Sequence, residues 1–418
     1  MDNLIKNRQY YKFCCYGFLK NLRFFDAFFI LFLLEKGLPF THIGILYAVR
    51  EIVINISEIP SGIIADTYGR KKVLVGSFLI YIISFLVFYL SEGFWLFLIA
   101  FILYGIGDAF RSGTHKGMIM DYLKLNHWEG QNINYYGHTR SWSQMGSAIS
   151  SLIAGLIVFY SGTYQNIFLY SIIPYLVNLL LIASYPGELN GAIEQKHPQS
   201  NPGVRFTISA FLKTIRQPKV LEIINASAIH TAYLRAVKDY IQPLMVNVAL
   251  LIPIMLHFEA EQRNGIIIGL IYFLIYLLTS RASQLSSKVA VRNKKSISFI
   301  TLLFGFIFGI VCGVLYIYGY WIISLIAFVG IFIVENTRKP ILTGFIADQV
   351  PNEILTSVIS AQSFIRTVMT AILALIVGVV ADNFGIGVSI LAVSLFLTLV
   401  TIIINRNARM HNKRRLAQ

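Results

Sequence analysis

The chain of 418 residues is 56% hydrophobic, and only 13% of its residues are charged. Soluble domains are about 45–50% apolar and about 25% charged, so this composition excludes a soluble multi-domain enzyme, a disordered chain and a nucleic-acid-binding module. The net charge is +15, from 35 basic and 20 acidic residues. In a membrane protein such an excess is typical of basic cytoplasmic loops.

Apolar runs of about 20 residues, the length that crosses a bilayer as a helix, follow one another along the whole chain. The uncharged runs 141–187 and 297–334 are too long for one crossing, and we expect each to break at a turn, near Gly162 and Gly319. Pro243 and Pro253 are expected to interrupt the seventh span. The twelve predicted spans are 10–35, 42–66, 73–91, 94–122, 135–160, 164–185, 219–249, 263–287, 297–318, 321–348, 354–381 and 384–405.

The distribution of basic residues predicts the orientation. They crowd the termini and the segments that follow even-numbered spans, whereas only Lys36 and Arg263 fall in the opposite loops. Both termini are therefore predicted to be cytoplasmic. The short tails and loops favour a bacterial cytoplasmic (inner) membrane.

The chain is predicted to be an all-α membrane protein. One long polar stretch divides it into two six-helix halves. A weak repeat at an offset of 227 residues supports this division, because Arg111, Gly117 and Asp121 match Arg338, Gly344 and Asp348. Duplicated, pseudo-symmetric halves are a known transporter plan. The predicted parts are an N-terminal half at 1–185, a cytoplasmic linker at 186–218, a C-terminal half at 219–405 and a basic tail at 406–418.

The loop after the second span carries a specific motif. From Gly62 to Leu74 it reads G-I-I-A-D-T-Y-G-R-K-K-V-L. This resembles the signature G-x-x-x-D-x-x-G-R-[RK]-x-x-[LI] of the major facilitator superfamily, and it departs from the usual pattern at Thr67, where the family has Arg or Lys. The resemblance implies a twelve-helix carrier that works by alternating access, with spans one, four, seven and ten lining a central cavity.

The chemistry of this loop predicts a conformational latch. A glycine at position 62 is expected to let two helices approach closely, and the second glycine of the motif to permit a tight turn. A carboxylate is favoured at a helix N-terminus, so Asp66 is expected to meet the start of span eleven near Asn352, held by the neighbouring cations. The predicted latch residues are Gly62, Asp66, Gly69, Arg70 and Lys71.

Ionisable side chains inside spans are costly and are candidates for function. On an ideal helix, Asp108, Arg111 and His115 share one narrow face of span four. Basic candidates outnumber acidic ones, which favours an anionic or zwitterionic solute. The predicted substrate-binding residues are Arg111, His115, Arg338, Arg235 and Lys238, and the predicted proton-coupling residues are Asp108, Glu335, Asp26 and Asp239.

Several of these residues also have plainer interpretations. Arg23–Asp26 and Arg235–Asp239 have the spacing of local salt bridges. His230 is interpreted as a packed or helix-bonded histidine. The Asp108–Arg111 and Glu335–Arg338 pairs are either substrate-responsive or static bridges between helices.

The sequence as a whole predicts a secondary active transporter, a symporter or antiporter that is proton-coupled and monomeric. Its expected partners are a small solute, protons and the lipid bilayer, without nucleic acid. The chain has no phosphate-binding loop and no metal-ligand spacing, so we expect no ATP-driven step, cofactor, metal or enzymatic activity. Two alternatives stay open, a multidrug efflux antiporter and a non-transporting membrane sensor. The first is weakened because span five lacks the proline seen in drug antiporters.

Overall fold

The computed structural model describes residues 5–128, 132–190, 218–253, 257–289, 294–349 and 352–416. Within these ranges the chain is almost entirely helical and has no β-strand, which confirms the all-α prediction. The helices are α1 (Arg8–Leu19), α2 (Phe29–Glu35), α3 (Phe40–Tyr68), α4 (Arg70–Leu90), α5 (Phe94–Arg111), α6 (Thr114–Leu125), α7 (Asn132–Ser161), α8 (Asn166–Ala183), α9 (Pro218–Val237), α10 (Ile241–Ala249), α11 (Ala260–Val289), α12 (Lys294–Ile317), α13 (Trp321–Gln349), α14 (Asn352–Phe384) and α15 (Ile386–Leu416).

Nine helical segments in the described part of the chain are long and apolar enough to cross a membrane. They coincide with nine of the predicted spans. The predicted spans one, two and seven are not among them, so the count of twelve stays a prediction. The nine segments are Arg70–Leu90, Phe94–Leu125, Gly137–Ser161, Asn166–Ala183, Ala260–Gln284, Phe299–Ile317, Trp321–Lys339, Gln362–Phe384 and Ile386–Arg406.

The two turns predicted inside the long apolar runs are confirmed. Helix α7 ends at Ser161 and is followed by Gly162, whose φ is +67°. Helix α12 ends at Ile317 and is followed by Gly319, whose φ is +78°. A left-handed residue after a helix is the common way to end it, and glycine adopts that conformation without steric cost.

Predicted span one is broken, which the sequence analysis did not foresee. Helix α1 ends at Leu19, a short 3₁₀ segment covers Phe24–Ala27, and α2 begins only after it. Side chains of α8 bind the backbone groups that the break releases. The Phe24 N–H donates to Ser171 Oγ at 3.2 Å, and the Tyr175 hydroxyl donates to the Lys20 carbonyl at 3.1 Å. In a membrane-spanning segment such partners are required, because lipid offers the backbone none.

Predicted span seven is broken as well, and here the cause can be read from the sequence. Helix α9 ends at Val237, and a 3₁₀ segment at Lys238–Tyr240 precedes α10. Pro243 has no N–H, and its ring crowds the carbonyl of the residue four positions earlier, Asp239. The expected interruption at Pro243 is therefore found one turn before the proline itself.

The chain forms two compact units that are not continuous in sequence. The first contains the described residues of 1–38, 49–197 and 249–276, and the second those of 39–48, 198–248 and 277–418. Two segments, 39–48 and 249–276, belong to a different unit from the residues that flank them, and each makes a close contact at a glycine. A Cβ atom on Gly44 would lie 2.6 Å from the Ala374 carbonyl oxygen in the second unit, and one on Gly155 would lie 2.5 Å from the Gly265 carbonyl oxygen in the first.

The contact between Gly155 and Gly265 predicts the effect of adding one methyl group to α7. Gly155→Ala should lower the free energy of unfolding by about 1–3 kcal/mol, because the new Cβ overlaps the backbone of α11. The matched control is Gly137→Ala on the same helix, where a Cβ would meet open space. That change should stabilise the helix by about 0.5–1 kcal/mol. The measurement is denaturant unfolding of the purified protein in detergent, and equal effects of the two substitutions would contradict the close contact.

Candidate functional site

The first unit contains a cavity of about 480 Å³ between α1, α6 and α7. Its lining includes five basic residues from these helices and from the end of α5. No acidic residue is among the described side chains that line it. The basic lining residues are Lys20, Arg111, His115, Lys116 and Arg140.

A helix break places Arg111 at this cavity. Helix α5 ends at Arg111, Gly113 has a φ of +79°, and α6 starts at Thr114. The prediction that Asp108, Arg111 and His115 share one narrow face is therefore wrong, because it assumed one continuous helix. Arg111 and His115 still line the same cavity, whereas Asp108 is not among the lining residues.

Asp108 and Arg111 form the ion pair that their spacing predicted. Arg111 Nη2 lies 2.8 Å from Asp108 Oδ1. The Tyr81 hydroxyl completes the contact, because it donates to the same carboxylate oxygen at 2.5 Å and accepts from Arg111 Nε at 2.9 Å. Sequence analysis missed Tyr81, since nothing distinguishes it from the other aromatic residues of span three.

His115 is held in an aromatic stack. Its ring lies 3.5 Å from that of Tyr16, with an interplanar angle of 11°, and Phe13 contacts it edge-on. Nε2 of His115 is 3.2 Å from the Tyr185 hydroxyl. The imidazole is therefore fixed in orientation at the cavity wall.

Lys20 and Arg140 line the cavity without a close acidic partner among the described residues. Neither forms an ion pair or a side-chain hydrogen bond with a described residue, although the Lys20 amino group lies 5.8 Å from the centre of the Tyr16 ring. Neither residue is among the substrate-binding residues predicted from the sequence. A lysine inside the apolar run 10–35 was the signal that could have found Lys20.

Two acids near the helix breaks have close cationic neighbours. Asp26 pairs with Arg23 at 3.1 Å, and Arg23 also donates to the Tyr104 hydroxyl at 3.0 Å. The structure therefore contains the local salt bridge that the spacing of this pair indicated. In the second unit, Asp239 Oδ1 lies 3.5 Å from the Lys238 amino group, and its other oxygen accepts from the Tyr47 hydroxyl at 3.0 Å.

Arg235 belongs to α9 and its side chain is exposed. Its predicted role in substrate binding stays a prediction.

The second predicted acid–arginine pair has different surroundings from the first. Both oxygens of the Glu335 carboxylate are engaged, one by His230 at 2.8 Å and the other by the Thr231 hydroxyl at 2.6 Å. Arg338 is almost completely buried and donates to the Thr301 hydroxyl at 2.6 Å.

The structure shows the backbone at two glycines of the predicted latch loop. Gly69 has a φ of +98° and permits the tight turn between α3 and α4, as expected. The expected close helix approach at Gly62 is wrong, because a Cβ there would meet open space. The Asp66 carboxylate lies outside the side chains that the structure describes, and so do Gly344 and Asp348 of the repeat.

The cations of this loop bind groups elsewhere in the first unit. Arg70 forms an ion pair with Asp121 of α6, and Lys71 donates to the Tyr185 carbonyl at 2.7 Å. These contacts tie α4 to α6 and to the segment after α8. Gly117 makes the first contact possible, because a Cβ there would lie 2.6 Å from the Arg70 guanidinium.

Comparison with known proteins shows the family of this chain. A family model described as Major Facilitator Superfamily matches residues 18–374. An uncharacterized MFS-type transporter, YxaM of Bacillus subtilis (strain 168), is 23% identical over 390 residues, which cover 91% of this chain and 90% of that protein.

Three solved structures share the fold. A mutant of the nucleoside transporter NupG has a TM-score of 0.76 at 12% identity, covering 94% of this chain and 99% of that one. A bacterial homolog of the human lysosomal transporter Spinster has a TM-score of 0.70 at 14% identity, covering 97% and 98%. A POT family transporter in complex with 5-aminolevulinic acid has a TM-score of 0.69 at 13% identity, covering 96% and 95%.

The geometry around Asp108 predicts that the Tyr81 hydroxyl stabilises the fold. Tyr81→Phe keeps the ring but leaves the buried ion pair without one donor, so it should lower the free energy of unfolding by about 1.5–3 kcal/mol. Tyr160→Phe is the control, because Tyr160 is 81% exposed. It should change stability by less than about 0.5 kcal/mol. Comparable effects in denaturant titrations would show that the hydroxyl at position 81 contributes little.

Proposed function

Because the chain belongs to the major facilitator superfamily, and is therefore a membrane transporter rather than an enzyme, we propose that it carries a small anionic or zwitterionic solute by alternating access. The carrier works as a monomer in a bacterial cytoplasmic membrane, with both termini cytoplasmic, and a proton gradient drives it. The observation that carries the proposal is the cationic cavity in the first unit.

The charge balance of this cavity favours an anion. Arg111 is neutralised by Asp108, whereas Lys20 and Arg140 have no acidic partner among the described residues. Buried or half-buried charges are stabilised by a counter-ion. A solute carboxylate or phosphate supplies it, with Lys20 as a point charge and arginine as a planar two-point donor.

His115 and Arg111 are the predicted binding residues that this cavity brings together. We propose that Arg338, Arg235 and Lys238 of the C-terminal half also bind the solute during the transport cycle. The latch residues Asp66, Gly69, Arg70 and Lys71 would bias the change of conformation.

One route to proton coupling is competition for Arg111. A solute anion that takes the guanidinium leaves the Asp108 carboxylate without its counter-ion, and a proton can then replace it. Asp26, Asp239 and Glu335 are other buried or half-buried acids that can serve, each with a hydrogen-bond or ion-pair partner in the structure.

The anion preference is tested by thermal unfolding of the purified protein with glutamate, succinate, inorganic phosphate and dialanine, and with tetraphenylphosphonium as a cationic probe. A ligand at 100 times its Kd stabilises the folded state by about 2.7 kcal/mol. We expect at least one anion or zwitterion to raise the melting temperature. Lys20→Gln and Arg140→Gln should each abolish most of that rise.

The matched control is Lys124→Gln, because Lys124 is an exposed lysine of α6 that does not line the cavity. It should leave the rise in melting temperature unchanged. Stabilisation by tetraphenylphosphonium alone would contradict the proposal and favour a multidrug efflux antiporter.

Transport is tested with the stabilising probe in proteoliposomes. An imposed pH gradient should drive accumulation of the radiolabelled probe several-fold above equilibrium, and a protonophore should abolish it. The Lys20→Gln, Arg140→Gln double variant is the control for passage through this cavity. A probe that binds but never crosses the membrane would identify the protein as a sensor of the same fold.

A further inference from the structure

A second, separate cluster of ionisable groups lies in the interior of the second unit. His230 on α9 and Glu335 on α13 are each 1% exposed. Nδ1 of His230 lies 2.8 Å from Glu335 Oε2, and Thr231 donates to Oε1 at 2.6 Å. One proton lies between Nδ1 and Oε2, whichever of the two atoms carries it.

The other ring nitrogen of His230 is a buried acceptor. Nε2 is buried and has no hydrogen-bond partner among the described residues. It faces Gly305 of α12 so closely that a Cβ there would collide with it. The missing side chain at position 305 thus makes room for the imidazole, and Nε2 is left with a lone pair that no described group satisfies.

The charged groups that act on the ring come from α13, namely Glu335, Arg338 and Lys339. The Lys339 amino group is 3.7 Å from the Glu335 carboxylate. The other neighbours that the structure describes are uncharged. Helix α12 presents the Phe306 ring, and α9 presents Tyr233, whose hydroxyl bonds to Ser394 of α15 at 2.7 Å.

We propose that His230 and Glu335 together form one proton-binding site, at which the coupling proton of the carrier is taken up. The proposal rests on the transport function above and names the site of its proton. A hydronium ion transfers a proton to the Nε2 lone pair, so that one of its O–H bonds breaks, an N–H bond forms and water is left, while no bond within the protein breaks. The pair then holds two protons and carries one more positive charge, as an imidazolium beside a carboxylate.

Proton uptake strengthens the link between two predicted spans. In the neutral form, a hydrogen bond from an uncharged imidazole joins α9 to the carboxylate on α13. In the protonated form, the donor is also charged, so attraction between opposite charges adds to the hydrogen bond. The site therefore converts proton binding into tighter α9–α13 contact, close to where α9 ends at Val237.

The test is nitrogen NMR of the full-length protein in nanodiscs with ¹⁵N-labelled histidine, with the His230 signal assigned through His230→Gln. We expect Nε2 to change from unprotonated to protonated in a single step as the sample is acidified from about pH 9 to about pH 5. In Glu335→Gln, the midpoint of this step should move to a hydrogen-ion concentration at least ten-fold higher, because the amide has no negative charge to stabilise the imidazolium.

Asp108→Asn is the matched control, since it removes a half-buried carboxylate in the first unit and should leave the His230 step unchanged. Thr231→Val is a milder second variant, in case Glu335→Gln does not fold. It removes one donor to the same carboxylate and should shift the step measurably. A His230 signal that never changes protonation, or that titrates identically in Glu335→Gln, would overturn the proposal.

A transport readout separates this site from a merely structural contact. In proteoliposomes, Glu335→Gln should lose accumulation driven by the pH gradient but keep exchange of the probe identified by thermal unfolding. Loss of both activities in a folded variant would mean that the pair only holds the helices together. The NMR titration needs no solute, so its failure is distinguishable from failure of the proposed transport function.

Discussion

The need to satisfy every backbone group inside a bilayer is the constraint on which the rest of this structure depends. Lipid offers no hydrogen bonds, so a helix can break within the membrane only where protein groups replace its lost partners. The break after α1 meets this condition, because Ser171 and Tyr175 of α8 bind the released backbone. The same break places Lys20 on the wall of the cationic cavity.

Each buried ionisable group depends on a particular neighbour, and the two units differ in which of these groups have partners. In the first unit, Asp108 is paired with Arg111, and Lys20 and Arg140 line the cavity without an acidic partner among the described residues. In the second unit, the Glu335 carboxylate is engaged on both oxygens by His230 and Thr231. The first arrangement suits recognition of an anion, and the second suits storage of a proton.

Local patterns were sufficient for much of the architecture. The length of apolar runs located nine membrane-spanning helices, and glycine placed the turns after Ser161 and Ile317 because it adopts positive φ at no cost. Pro243 indicated the interruption of span seven, since a missing N–H acts on the residue four positions earlier. The spacing of Asp108 and Arg111 predicted their ion pair, because residues three apart on a helix are neighbours.

By itself, then, the sequence determined the all-helical membrane class, most of the spans and the contacts within one helical turn. Only the tertiary structure decided that span one is broken, that Tyr81 joins the Asp108–Arg111 pair, that His230 binds Glu335, and that a Cβ at Gly62 would meet nothing. The physical reason is distance along the chain. His230 and Glu335 are 105 residues apart, and only the packing of α9 against α13 brings them together, which no periodicity within either helix encodes.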